Sequence, residues 1–280
     1  MFFAQLKNEL WKLFGKKRTY IGFGAFLLVQ TFMMFMFKYT RWHSLFERML
    51  EGNGYLASEY ISALTVARIM LLPQIVLLMP LYVALMGGDM VAKESEDGTL
   101  RMILSRPISR VRLLFVKWVA GIIFSAVLVL VLGIIALGFA RILFPWKGMF
   151  VYGDWSSPTF GLFTPGEGLE RYALAHLFMA MNAVSMFSIA TMFSCFNMKP
   201  ASATILALSF MLMSLVMEHI PFFESFQNWF ITHHFAVWDC IFKSPVPISD
   251  MAQSEIILLA ISATTFVIGA LAFQVRDIKT

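Results

Sequence analysis

The sequence predicts an all-α integral membrane protein with six spanning helices, organised as a single domain over residues 1–280. Three observations carry this. Of its residues 59% are hydrophobic and only 14% charged, against about 45–50% apolar and roughly 25% charged in soluble chains. Six stretches reach the ~20 apolar residues needed to cross a bilayer. The basic residues lie beside these stretches and favour alternate connections, the signature of membrane orientation.

The six spans are expected at Tyr20 to Phe37, Leu64 to Gly88, Leu113 to Ala140, Tyr172 to Phe196, Ala201 to Pro221 and Glu255 to Phe273. Backbone polar groups facing lipid must be paired within the segment, so each is a helix. The third is long enough to tilt or to project from the bilayer. The first has a basic flank and an apolar run like a signal peptide. Its far end, Phe35-Met36-Phe37-Lys38-Tyr39, lacks the small residues of a cleavage site, so it is expected to be retained.

Lys and Arg set the orientation. One set of connections, with both termini, holds fourteen of them, including Lys7, Lys12, Lys93, Arg101, Arg110 and Lys117; the opposite set holds seven. The richer side is expected to be cytoplasmic. A net charge of +5 distributed in this way points to membrane orientation, not to nucleic acid. Cys195 and Cys240 fall on opposite sides and in no metal-ligand spacing, so both are expected to be unpaired thiols.

Two further segments are expected at the interfaces. In residues 2–18, Phe3, Leu6, Leu10, Leu13 and Phe14 recur at helical spacing, with Lys7, Asn8, Lys12 and Lys16 largely away from them. This is the pattern of an amphipathic helix lying in the cytoplasmic interface. Residues 222–254 are not polar, yet are not long enough in apolar length to span. Phe222, Phe223, Phe226, Trp229, Phe230, Phe235, Trp238 and Phe242 suit a re-entrant-like outer segment, broken by Pro245 and Pro247.

The most informative connection is 89–110, between spans two and three. Gly98 permits a tight bend. Leu100, Ile103 and Leu104 make one amphipathic helical turn, Pro107 ends it and Ser109 caps the third span. A compact charged element tied to two spanning helices suits transmission of a push from a cytoplasmic partner.

The run Glu94-x-Glu96-x-Gly98-Thr99-Leu100, then Leu104, Pro107-x-Ser109-Arg110 and Lys117, resembles the signature of ABC-2-type ABC transporter permeases, in style the small NosY-like ones. The likeness extends to the entry helix, the six spans and the outer segment. It implies a permease subunit of an ATP-driven exporter in a bacterial or archaeal cytoplasmic membrane, both termini inside. It also implies pairing with a second permease chain, as homo- or heterodimer, and docking to a separate ABC ATPase subunit that holds ATP and Mg. Membrane lipid surrounds the pair, and a periplasmic or outer-face partner fits the family. Glu94, Glu96, Asp97, Gly98, Thr99, Leu100, Arg106, Pro107 and Arg110 are then the ATPase-coupling residues. The chain itself carries no GxxxxGK[ST] phosphate loop; before Gly15-Lys16-Lys17, Leu10 stands where the first glycine belongs.

A few other residues carry groups capable of chemistry. Arg68 and Glu218, near the outer ends of spans two and five, are a candidate outer gate, because ionisable groups inside membranes are costly; otherwise they snorkel to the surface. His233-His234, with His219 and Asp239, do not make a zinc site, which needs three or four convergent ligands. No HExxH or GxSxG pattern occurs, so no catalytic residue and no bound cofactor are expected. The alternatives, an ion-coupled carrier or channel and a membrane-embedded enzyme, would need acidic residues near mid-membrane or a convergent catalytic set.

Overall fold

A computed structural model describes residues 2–105, 107–152 and 160–277. A short helix α1, Phe2–Gly15, precedes the first span, α2, Lys17–Tyr39. Beyond it lie α3, Arg41–Gly52, and α4, Ala57–Tyr60. The second span is composite: α5, Ala63–Pro73, a π-helical turn, Gln74–Leu78, and α6, Met79–Glu96. A one-turn helix α7, Thr99–Leu104, leads to the third span, α8, Arg110–Leu143. A hairpin of β1, Met149–Tyr152, and β2, Phe160–Phe163, precedes the fourth span, α9, Pro165–Cys195, and the fifth, α10, Pro200–Glu218. Then come a 3-10 helix, Pro221–Trp229, α11, Ile231–Phe235, a second 3-10 helix, Val237–Phe242, and the sixth span, α12, Ile248–Val275.

Among the described residues six helices are long and apolar enough to cross a membrane, and they match the six expected spans with ends moved by a few residues. The largest shift is at span two, which continues to Glu96 instead of stopping at Gly88. Asp89, Lys93 and Glu94 therefore stand on a helix continuous with the membrane part. At about 1.5 Å per residue, the 34 residues of α8 reach roughly 51 Å, well beyond a hydrocarbon core of about 30 Å.

Local signals set the boundaries. Ser109 Oγ accepts from the Arg112 N–H and caps α8. That helix ends at Leu143, with Phe144 extended ahead of Pro145, because a residue before proline is pushed out of helical geometry. Thr164 caps α9 with Pro165 in its first turn. Pro73 and Pro80 flank the π-turn of span two; each lacks an N–H and crowds the carbonyl four residues back, which loosens the helix there.

The fourth span, α9, is the hub, packed against α6, α8, α10 and α12. Small residues let backbones approach there. A Cβ on Gly87 would sit 2.8 Å from Phe187 O, and one on Gly88 would overlap Thr204. Ser194 Oγ donates to Gly88 O at 2.7 Å and accepts from the Val91 and Ala92 N–H groups, which locks α6 to α9. Ser185 Oγ donates to Leu258 O at 3.2 Å on α12.

The apolar face of α1 holds Leu6, Leu10, Leu13 and Phe14 against the core, while Phe3, in the first turn on the same side of the helix, is 82% exposed. The inward stripe also contains a carboxylate, described below. Residues 222–254 form short 3-10 and α pieces, with Pro245 and Pro247 lying between the last of them and α12. Cys195 and Cys240 are free thiols.

Candidate functional site at the basic end

The richest polar constellation forms where α1, α6 and the start of α8 meet, at the end of the bundle bearing most of the basic residues. Leu6, Glu9 and Leu13 project from one face of α1 at helical spacing. Glu9 is 6% exposed, so an acid sits inside an apolar stripe. Opposite it on α8 is Lys117, 1% exposed. Its Nζ donates to Glu9 Oε2 at 2.9 Å and pairs with Glu94 Oε1 at 2.8 Å. Lys12 Nζ closes the square, 2.7 Å from Glu9 Oε1 and 3.1 Å from Glu94 Oε1. Two ammonium and two carboxylate groups alternate, with no net charge. Buried charge of either sign would be prohibitive alone; together they are tolerated and tie three elements in one geometry.

Titration follows from these contacts. Burial pushes the Glu9 carboxyl up, but Lys117 and Lys12 outweigh it and hold it below the ordinary carboxylate value. Burial pulls Lys12 down, and Glu9 and Glu94 outweigh that and raise it. A depressed carboxylate gives stability present above its unfolded pKa of 4.5 and lost as pH falls through the folded value. A raised ammonium gives stability present below its unfolded value of 10.5 and lost as pH climbs through the folded one. Melting temperature is therefore expected to be flat between these limits and to fall on both sides. Glu9→Gln should flatten the acid limb; an unchanged acid limb in that variant counts against the assignment.

The predicted coupling residues divide into two sets. Glu94 points into the ion square, Leu100 is fully buried, and Thr99 Oγ1 donates to Glu94 O at 3.2 Å. Gly98 takes φ +73°, the left-handed conformation that ends α6 and starts α7, and that glycine accepts without strain. Glu96 and Asp97 face outward, about half exposed, held by Lys93 at 2.8 and 3.2 Å. Arg101, Met102 and Pro107 are exposed beside them. Arg110 turns away from this surface: its Nη1 donates to the carbonyls of Phe273, Gln274 and Arg276, capping the C-terminus of α12. Arg106 lies outside the described residues. Between α1 and α6–α7 runs an open groove of about 890 Å³, lined by Asn8, Lys12, Lys16, Asp89, Asp97 and Met102 among others.

Arg68 and Glu218, at the other end, do not pair with each other. Arg68 donates to Asp239 Oδ1 at 2.5 Å and stacks over Phe242. Glu218 lies 3.4 Å from His233 Nδ1. Both spans thus hold the 221–242 region, as does Arg171 of α9, which donates to Ile241 O and Lys243 O. Arg68→Met takes the charged donor from Asp239, whose side chain is 40% exposed and rehydrates, so the loss is about 1 kcal/mol. Amide hydrogen exchange over residues 237–243 is expected to accelerate to match; wild-type protection there would remove the anchoring role.

Sequence reading missed Glu9, Asp239 and Arg171 as partners, and took Lys117 only as the end of a motif. The one usable signal was Glu9, a carboxylate at apolar-face spacing.

The chain's residues 8–229 match the family model described as ABC-2 family transporter protein. The chain belongs to the ABC-2 transporter family. The match takes in most of α1, the first five spans and the ion square, so this ABC-2 chain is a multi-pass membrane component of a transporter. No curated protein matches it.

Proposed function

We propose that this chain is the permease subunit of an ATP-driven exporter, working as a dimer of such chains and receiving its drive from separate ATPase subunits. The observation that carries the reading is the groove between α1 and α6–α7, open at the basic end and backed by the Glu9–Lys12–Glu94–Lys117 square. In this reading the ATPase seats against the exposed residues Glu96, Asp97, Arg101 and Met102. The ion square behind them acts as a girder: a push on α7 reaches α1 and α8 together, because all three are clamped to Glu94. A ligand-driven change needs contacts that differ between two states, and ATP-dependent closure of the partner supplies that difference.

The test is affinity purification in mild detergent with mass spectrometry. Glu96→Arg with Asp97→Arg reverses exposed charge without touching the square, and is expected to lose a co-purifying ATPase that wild type retains. If wild type, folded and monodisperse, brings down no ATPase, the permease reading fails. If the double variant retains it undiminished, docking lies elsewhere on the chain.

A further inference from the structure

Among the buried polar atoms with no partner, two lie well inside the spans and face each other's helix: Gln74 Oε1 in the π-turn of span two and His176 Nε2 in α9. Gln74 is 1% exposed and His176 3%. Both line one small cavity, otherwise walled by Leu71, Ile75, Met79, Val129, Leu132 and Met179.

Their hydrogen-bonding states are fixed by their other contacts. His176 Nδ1 lies 2.7 Å from Tyr172 O. A carbonyl oxygen only accepts, so Nδ1 carries the proton and, in the neutral ring, Nε2 is left as an acceptor. Gln74 Nε2 donates to Met70 O at 3.3 Å. Flipping the amide would set oxygen against oxygen, so Oε1 is also an acceptor. Two acceptors therefore face one cavity whose remaining lining residues supply no donor.

The site is built, not incidental. Tyr172 OH donates to Gly133 O at 3.0 Å, which docks this turn of α9 on α8. A Cβ on Gly133 would overlap the His176 ring, so only glycine lets the ring lie there. The cavity is about 10 Å³, about the size that holds one water by a 1.4 Å probe measure. A hard divalent cation needs about six oxygens, and two acceptors among hydrocarbon do not supply them.

We propose that this cavity is a binding site for a single internal water, which donates one hydrogen to His176 Nε2 and the other to Gln74 Oε1. The water bridges the π-turn of span two to α9 and satisfies the two acceptors that the protein leaves open. Its role is to hold the loosened middle of span two on the central helix.

The test is solid-state NMR of the full chain, nitrogen-15 labelled at histidine, in lipid nanodiscs. His176 is assigned by loss of its signals in His176→Asn. The expected result is a protonated Nδ1, an unprotonated Nε2, and rapid magnetisation transfer from water to Nε2 that is lost in Gln74→Met while Nδ1–H persists. An Nε2 that receives nothing from water means a dry cavity and overturns the proposal. A protonated Nε2 bonded directly to Gln74 overturns it equally. The wild-type spectrum decides alone if Gln74→Met does not fold.

Discussion

Lys117→Met is expected to be among the most destabilising single substitutions in this chain. It removes an ammonium that is 1% exposed and leaves Glu9 and Glu94 sharing Lys12 alone, an excess negative charge away from water. Breaking a buried ion pair by deleting one partner costs about 3–5 kcal/mol. The loss is not simply of side-chain volume, since Met fills much of the same space. The charge-balanced double variant, Lys117→Met with Glu94→Gln, restores one ammonium against one carboxylate and should recover a large part of the loss. Thermal unfolding of the purified chain in detergent reads both. A single variant melting within about 2 °C of wild type, under about 1 kcal/mol for a chain of this size, would sink the view that the square is a tightly packed unit. A double variant no better than the single would assign the loss to packing instead of charge.

Gly87→Ala is the second large effect, and it follows from space alone. The added methyl would meet Phe187 O and Ala190 Cβ at 2.8 Å, with Thr191 N at 3.2 Å. Two of these are backbone atoms of α9, which cannot rotate out of the way. Overpacking of this kind costs about 1–3 kcal/mol. It also pushes α6, the helix bearing Glu94 and Glu96, off the central span. Gly138→Ala on α8 is the matched control: nothing lies within 4 Å of its Cβ position. There alanine is expected to be neutral or to stabilise by up to about 1 kcal/mol through helix propensity. Gly87→Ala should thus lower the melting temperature while Gly138→Ala leaves it unchanged or raises it. Equal shifts of the same sign would mean that α6 and α9 are not as closely packed as their backbones indicate.

The architecture was legible in the residues because each span is a local statement. An apolar run of sufficient length must close its own backbone hydrogen bonds in lipid, so α2, α8, α9, α10 and α12 follow from segments that need no distant partner. Ser109, Gly98 and the prolines were readable for the same reason: a cap, a left-handed turn or a missing N–H acts within one helical turn. The exceptions are at the edges of that rule. Span two runs on to Glu96 because Ser194 Oγ and the ion square hold its last turns, and both partners are distant in sequence. The hairpin of β1 and β2 carried no alternation strong enough to announce it over four residues a side.

The candidate site was half legible. The 89–110 segment could be found from its own residues and their likeness to a family, and the family match bears out the membership. Which of its residues face outward could not. Glu94 and Glu96 are two apart on one helix and so point in different directions; only the packing of α1 and α8 decides that Glu94 turns inward to Lys117 and Lys12 while Glu96 stays at the surface. Likewise the sequence set Arg68 beside Glu218 as candidates of one kind, whereas the fold gives Arg68 to Asp239 and Glu218 to His233. The sequence by itself determined the number of spanning helices, the basic end and the charged 89–110 connection; the tertiary structure decided every charge pairing between elements, because such a pairing depends on which helix faces meet, and that is settled by long-range packing around α9.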